Sequence, residues 1–397
     1  MGFCDFESAY DWSRLKTVRQ AARQSGFLSV DLSVGTPVDP VPDAVCEALG
    51  AAADFRGYPP AAGTCELTEA IGGWFKRVRG VNLEKIEAAA IPSIGSKEAI
   101  ALMACLLGFG HGDVIVQPRV SYPTYAIGTQ LAGSRIEYAD DVSDTNSWRN
   151  IENVKAVWIN SPCNPSGEVY SKEQLRKIVE AARQIGAIVL SDECYACLTW
   201  ENPDCAANQN CAESAGCAEN QNCACAPSAS ILDEYVCGGK SDGILCLYSL
   251  SKQSNLGAYR TAFIAGDKSI ISRLAMFRRQ IGQMIPGPVQ NAFAAALNED
   301  KTAEKQREIY KKRLEKLVEA LKSFGYDAKM PAGGLYVWVK ALSGDCWTDL
   351  EILAKKTGIV ASPGEFYSDS SYVRFSVTAS DEDVESAAKA LKTADFR

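Results

Sequence analysis

From about residue 88 to 285, short runs rich in β-branched residues alternate with helical stretches, and no other feature constrains the fold as tightly. The runs are DVIVQP at 113, AVWIN at 156, AIVLSDE at 187, ILCLYSLS at 244 and TAFIAG at 261, with amphipathic segments such as Lys172 to Ile185 between them. This pattern predicts an α/β fold with a mostly parallel, doubly wound sheet. Such a sheet takes its ligands beyond the carboxyl ends of its strands, so chemistry-bearing residues should cluster where the runs stop.

The rest of the chain reads differently. A long charged helix is expected from Val289 to Phe324, followed by strand-like LYVWV and YVRFSVT separated by helices. That gives a smaller α/β domain built from 1–45 and 289–397, packed against a large domain over 46–288, with the cleft between them as the default site. At 397 residues the chain is long enough for two such cores.

Composition excludes several classes. With 47% hydrophobic and 23% charged residues the chain belongs with globular proteins. A formal net charge of -8 argues against nucleic acid as a partner, because that affinity rests on Lys and Arg neutralising phosphates. Asp5 and Glu7 stand where a signal peptide carries positive charge, so a cytoplasmic protein is expected. The apolar stretch Ala99 to Gly110 falls short of the roughly 20 residues a membrane span needs and predicts a buried helix. Fifteen cysteines then read as reduced thiols, many of them small core hydrophobes.

One segment breaks the pattern. Cys205 to Ser228 runs CAANQN, CAESAG, CAENQN, CACAPS, a six-residue period with Cys first in each unit. Zinc ligands come as Cys pairs two to four residues apart, and the single histidine, His111, is distant in sequence. The segment therefore reads as a low-complexity insertion over 202–228, and no metal is expected.

The most specific motif is SLSKQSNLGAYR, 249–260. Lys252 ends an apolar strand, where a hydrophobic setting depresses an amine's pKa and makes it a nucleophile for a carbonyl cofactor. The hydroxyls of Ser249 and Ser251 and the planar fork of Arg260 suit a phosphate dianion. The block resembles the cofactor-lysine motif of the class I/II aminotransferases, the aspartate aminotransferase superfamily. NSPCNPSG at 160–167 and LSDECY at 190–195 resemble that family's Asn-Pro-(Thr/Ser)-Gly turn and Asp-x-x-Tyr strand end, in the same order and spacing.

That resemblance implies a fold type I pyridoxal 5'-phosphate transferase with a seven-stranded large-domain sheet. It implies Lys252, Asp192 and Tyr195 as catalytic residues. Asp192 would face the cofactor's pyridine nitrogen, while Asn164 and Tyr195 would meet its phenolic oxygen. A carboxylate there favours the protonated ring, the electron sink that carbanion chemistry requires. Gly95, Ser96 and Lys97, between a strand and a helix, resemble the phosphate cup, where glycine and free helix-start amides admit an anion. Tyr122 aligns with the aromatic residue stacked on the ring. Tyr58 resembles the tyrosine that reaches the neighbouring subunit's phosphate, which implies a homodimer with sites at the interface. For substrate, Arg374 resembles the α-carboxylate clamp, Gly35 the backbone that closes over the same group, and Tyr336 a pocket wall beside Asn164. Taken singly, each of these residues also fits a plain role as turn, cap or core side chain.

The GSKE, SLSK-x-SNL and CGG-K-x-DG runs look most like N-succinyldiaminopimelate aminotransferases of lysine and diaminopimelate biosynthesis, pairing that donor with 2-oxoglutarate and glutamate. LGAYR stands where LAGYR is expected, leaving Arg260 in register. Competing expectations are aspartate, aromatic or methionine aminotransferases, a C–S lyase on the same scaffold, and a metal-binding or interaction protein organised by the cysteine repeat. A regulator of this fold with an N-terminal DNA-binding domain is not expected, because the GTP stretch begins at Val34.

Overall fold

The structure, a computed structural model, describes Phe6, residues 10–200 and residues 227–396. The cysteine repeat from Cys205 to Cys225, with both readings of it, lies outside the described residues.

After a two-residue strand β1 (Val30–Asp31), seven strands form the central sheet: β2 (Ala88–Ile94), β3 (Val114–Pro118), β4 (Arg135–Ala139), β5 (Val154–Asn160), β6 (Ile188–Asp192), β7 (Ile244–Ser249) and β8 (Thr261–Asp267). Their order is β2-β8-β7-β6-β5-β3-β4, which is the expected seven-stranded α/β sheet. Pairings from β7 through β4 are parallel, and β8 runs antiparallel to both its neighbours. Helices cover both faces, so β3 and β7 are buried along their whole length and read as unbroken apolar runs. The edge strand β4 is largely open to solvent, and its sequence, RIEYA, lacks the apolar signal that marks the others.

The parallel register sets strand ends side by side. Asn160 and Asp192, the last residues of β5 and β6, are register partners, and β7 ends one turn before Lys252. Local chemistry holds the crossover helices in place. Helix Lys172–Gln184 starts on a capping box in which Ser171 and Gln174 satisfy each other's backbone amides.

A second layer carries the antiparallel sheet β11 (Ser362–Pro363), β12 (Tyr372–Ser376), β9 (Tyr336–Lys340), with β1 pairing β10 (Ile359–Val360) alongside. Its core includes Leu317, Leu321, Val337, Val373 and Phe375. The chain from Leu32 to Val34 is stitched to it. Ser376 N–H donates to Leu32 O (2.8 Å) and Thr378 Oγ1 to Val34 O (3.1 Å).

The single long helix expected from Val289 to Phe324 is two: Gly287–Leu297 and Asp300–Phe324. Arg77 explains the break. Its guanidinium occupies the gap, donating to Leu297 O (2.8 Å) and to Asp300 Oδ2 (2.7 Å). Phe293 and Leu297 of the first helix join the large-sheet core.

Candidate active site

Lys252 lies in the one-turn helix Leu250–Gln253 that succeeds β7. It is half-buried, and its ammonium donates to the carbonyl of Gly35 on the stitched N-terminal segment. Burial is the main influence on the amine and lowers its pKa, with Tyr336 pulling the other way. Gly35 is obligatory here, since a Cβ at that position would lie 2.1 Å from the Tyr336 hydroxyl.

Asp192, at the end of β6, is 5% exposed. One carboxylate oxygen accepts from the Tyr125 hydroxyl (2.8 Å), the other from the Cys194 amide (3.1 Å). Burial raises its pKa, and these two donors oppose that rise. The Cys194 thiol feels both key residues: burial first pushes its pKa up, Asp192 adds to that rise and Lys252 opposes it.

Asn164 lies in the turn after β5. Its amide donates to Asn160 Oδ1 (2.8 Å), and Asn160 Nδ2 donates to the carbonyls of Pro162 (3.0 Å) and Asp192 (2.9 Å). Asn160 therefore holds the turn and the β6 end in one frame. Arg374, from β12, donates Nη1 to Asn164 Oδ1 (2.8 Å) and Nη2 to Ser33 O (2.7 Å). The rings of Tyr336 and Tyr367 lie 4.0 and 4.5 Å from the guanidinium carbon. Its buried Nε has no partner among the described residues.

Tyr195 and Tyr336 meet hydroxyl to hydroxyl at 2.9 Å. Burial pushes the Tyr195 phenol up. It acts on Tyr336 in the same sense, but Arg374 and Lys252 outweigh it there and bring the Tyr336 phenol below its ordinary value. Tyr122 is half-buried beside Tyr125, edge to face at 5.8 Å, and senses Asp192.

The anion-binding end is built around Gly95, which caps helix Ser96–Leu106 at φ 79°. Ser96 is thus the first helical residue and not the cap. A Cβ on Gly95 would stand 2.1 Å from Arg260 Nη2, so glycine both turns the chain and admits the guanidinium to the helix start. Lys97 is exposed at the helix start, and its pKa is lowered, first by partial desolvation and then by Arg260. Lys97 and Arg260 thus stand together at a helix start, an arrangement that could receive an anion. Ser249 is turned inward, its hydroxyl 2.9 Å from Ser251 Oγ and 3.2 Å from Thr261 O while it caps the short helix.

The structure therefore gathers Gly35, Gly95, Ser96, Lys97, Tyr122, Asn164, Asp192, Tyr195, Ser251, Lys252, Arg260, Tyr336 and Arg374 at the strand ends. Tyr58 stands apart, 94% exposed. Sequence reasoning missed Tyr125, Asn160 and Tyr10. Tyr125 lies three residues after Tyr122, a spacing that puts both on one side of a helical turn, and that was the available signal. Tyr10 lies 5.4 Å from Lys97 and is sensed by Arg374 and Tyr122.

A desolvated amine, a buried carboxylate on the neighbouring strand end, two cations at a helix start and a buried arginine are arranged as a transaminating centre requires, and the chain belongs to the aminotransferase class I and II family, whose model matches residues 29–391. It is a pyridoxal-phosphate-dependent aminotransferase. Among curated relatives, it is 39% identical over 376 residues to 4-dedimethylamino-4-oxo-anhydrotetracycline transaminase OxyQ of Streptomyces rimosus, covering 94% of this chain and 95% of the relative. It is 29% identical over 380 residues to an LL-diaminopimelate aminotransferase of Dehalococcoides mccartyi, covering 91% of this chain and 90% of the relative. The fold superposes on aspartate aminotransferase from Thermus thermophilus, solved with maleate, with a TM-score of 0.80 at 23% identity over 99% of this chain and all of that one.

The residues present fit the cofactor. Arg260, the Gly95–Lys97 turn and Ser251 would hold its phosphate, and Asp192 would meet its ring nitrogen. Among the described residues no Lys, Arg or His forms an ion pair with Asp192, so its cation is left to the ligand.

Proposed function

We propose that this enzyme transfers the α-amino group of N-succinyl-LL-2,6-diaminopimelate to 2-oxoglutarate, in lysine and diaminopimelate biosynthesis, as a cytoplasmic homodimer with sites at the subunit interface. The observation that carries the transaminase reading is the desolvated Lys252 amine at the end of β7, near the Arg374 clamp, with Asp192 at the end of the neighbouring strand β6. Support for the acidic donor comes from the sequence runs and from the diaminopimelate-acting relative.

Pyridoxal phosphate supplies a carbonyl for the amino group and an electron-withdrawing ring. This chain's residues do the rest. Arg374 would fix the donor's α-carboxylate through its planar fork, with Asn164 and Ser33 holding the fork's direction. Lys252 Nζ would hold the cofactor and then carry the proton from the substrate α-carbon, and its lowered pKa favours the neutral, nucleophilic amine more than in a solvated lysine. Tyr195 and Tyr336 close the pocket against water. Tyr58, exposed on one chain, is free to reach a partner's phosphate site.

Steady-state rates with N-succinyl-diaminopimelate, LL-diaminopimelate, aspartate, methionine and phenylalanine, each with 2-oxoglutarate, test the substrate. The first should give the highest kcat/KM. A preference for neutral or aromatic donors sinks the reading and favours a ketone-bearing ring substrate like that of the 39%-identical relative.

Arg374→Lys separates binding from chemistry. Lysine lacks the planar fork that can face Asn164, Ser33 and a carboxylate together, so KM for every α-carboxylate donor should rise about 100-fold with a smaller fall in kcat. Initial-rate kinetics over a wide donor range reads this directly.

A further inference from the structure

We propose that Tyr125 is a positioning residue of the active site: its hydroxyl, bonded to Asp192 Oδ2, aims that carboxylate and keeps it ionised for the ring nitrogen it would face. The inference rests on the reading of Asp192 as the partner of that nitrogen and extends it to a residue with no other evident chemical task.

The geometry is specific. Tyr125 is fully buried on helix Thr124–Leu131, and its ring stacks on Trp158 of β5 at 4.8 Å and 18°. That stack fixes the plane of the phenol, so its O–H has one direction, along the 2.8 Å bond to Asp192. The opposite oxygen is tied by the Cys194 amide at 3.1 Å. With both oxygens tied from the protein side, the carboxylate's remaining lone pairs are left for a ligand. Burial pushes the Tyr125 phenol well up, so it remains a donor at every working pH.

The surroundings of Asp192 make the bond necessary. The groups facing it are the phenols of Tyr122 and Tyr125, the thiols of Cys163 and Cys194, and Glu193 of its own strand end. None is cationic, and Glu193 is itself paired with Arg79 at 2.9 Å. Desolvation therefore favours the neutral acid, and the two donors are what oppose it. A neutral Asp192 cannot stabilise a protonated ring. Deleting the phenol O–H should let the carboxyl keep its proton to higher pH, moving the acid limb of the pH profile upward.

Tyr125→Phe, Tyr125→His and Asp192→Asn test this with two readouts: the dissociation constant of pyridoxal phosphate from the cofactor-free protein, and the pH dependence of the bound cofactor's visible absorption. The Phe variant should bind the cofactor roughly 10- to 100-fold more weakly, the range expected when a hydrogen bond to a charged group is removed. Its acid limb should move to higher pH, and the His variant, which regains an N–H donor, should move it back. An unmoved limb and unchanged affinity in Tyr125→Phe, beside a large effect of Asp192→Asn, overturns the role of Tyr125 alone. A His variant indistinguishable from Phe also overturns it, because ring volume would then be what matters. If Asp192→Asn itself leaves both readouts unchanged, the assignment of Asp192 falls first.

Discussion

Replacing Lys252 with Ala should remove the visible absorption band that pyridoxal phosphate gives when covalently held, and lower turnover by roughly 10⁴-fold, the upper end of what one acid–base group supplies. Two functions leave with one side chain: the attachment point and the proton carrier. The variant should fold, because the amine it deletes is a half-buried base whose charged form is disfavoured by desolvation. Its side-chain hydrogen bond goes to Gly35 O. Circular dichroism identical to the parent, with a flat visible spectrum and no half-reaction, is the expected combination. A variant that keeps the visible band and turns over at a normal rate removes Lys252 from the chemistry. The measurement is sharp because the chain holds many lysines on its surface, and only a desolvated one with a lowered pKa can distinguish itself.

Lys252, Asp192 and Asn164 could be found in the sequence because a parallel sheet announces its strand ends: each apolar run stops, and the next few residues lie on the ligand-binding edge. Arg374 and Gly35 needed the resemblance, since one sits within a short antiparallel strand and the other in a segment without periodicity. The edge strand β4 and the break between Leu297 and Asp300 were hidden for a common reason. Both depend on what lies alongside in space, solvent for the first and Arg77 for the second, and neither leaves a local signature. Asn160 and Tyr125 were hidden more deeply. Each looks like filler in an apolar stretch, and each becomes meaningful only when the β5 and β6 ends are set side by side and the helix after β3 is laid over them. The positioning layer of this site is a property of register. The groups that touch ligand are a property of motif.

Asp192→Asn should separate function from stability. The amide preserves size and can still accept from the Cys194 amide, but it carries no charge for the ring nitrogen. Loss of such a preorganised electrostatic contact should reduce kcat by about 10³-fold. The effect on the cofactor-free protein has the opposite sign. Asp192 has a folded pKa raised above its ordinary 3.8, so its contribution to stability is fully present below 3.8 and is lost as pH rises through the folded value. At neutral pH the parent carries a buried carboxylate that has hydrogen-bond donors but no cation among the described residues, and the Asn variant does not. Its melting temperature should therefore exceed the parent's at pH 7 to 8, and the two should converge as the pH falls and the parent's carboxyl takes up its proton. Adding pyridoxal phosphate should reverse the order, because the ligand supplies the missing cation to the parent only and stabilises it by mass action. Thermal melts of both proteins across pH, with and without cofactor, read all three signs in one experiment. A cofactor-free Asn variant that melts below its parent at neutral pH would mean that Asp192 is held by a cation within the fold, and the case for a ligand-facing acid would fail with it.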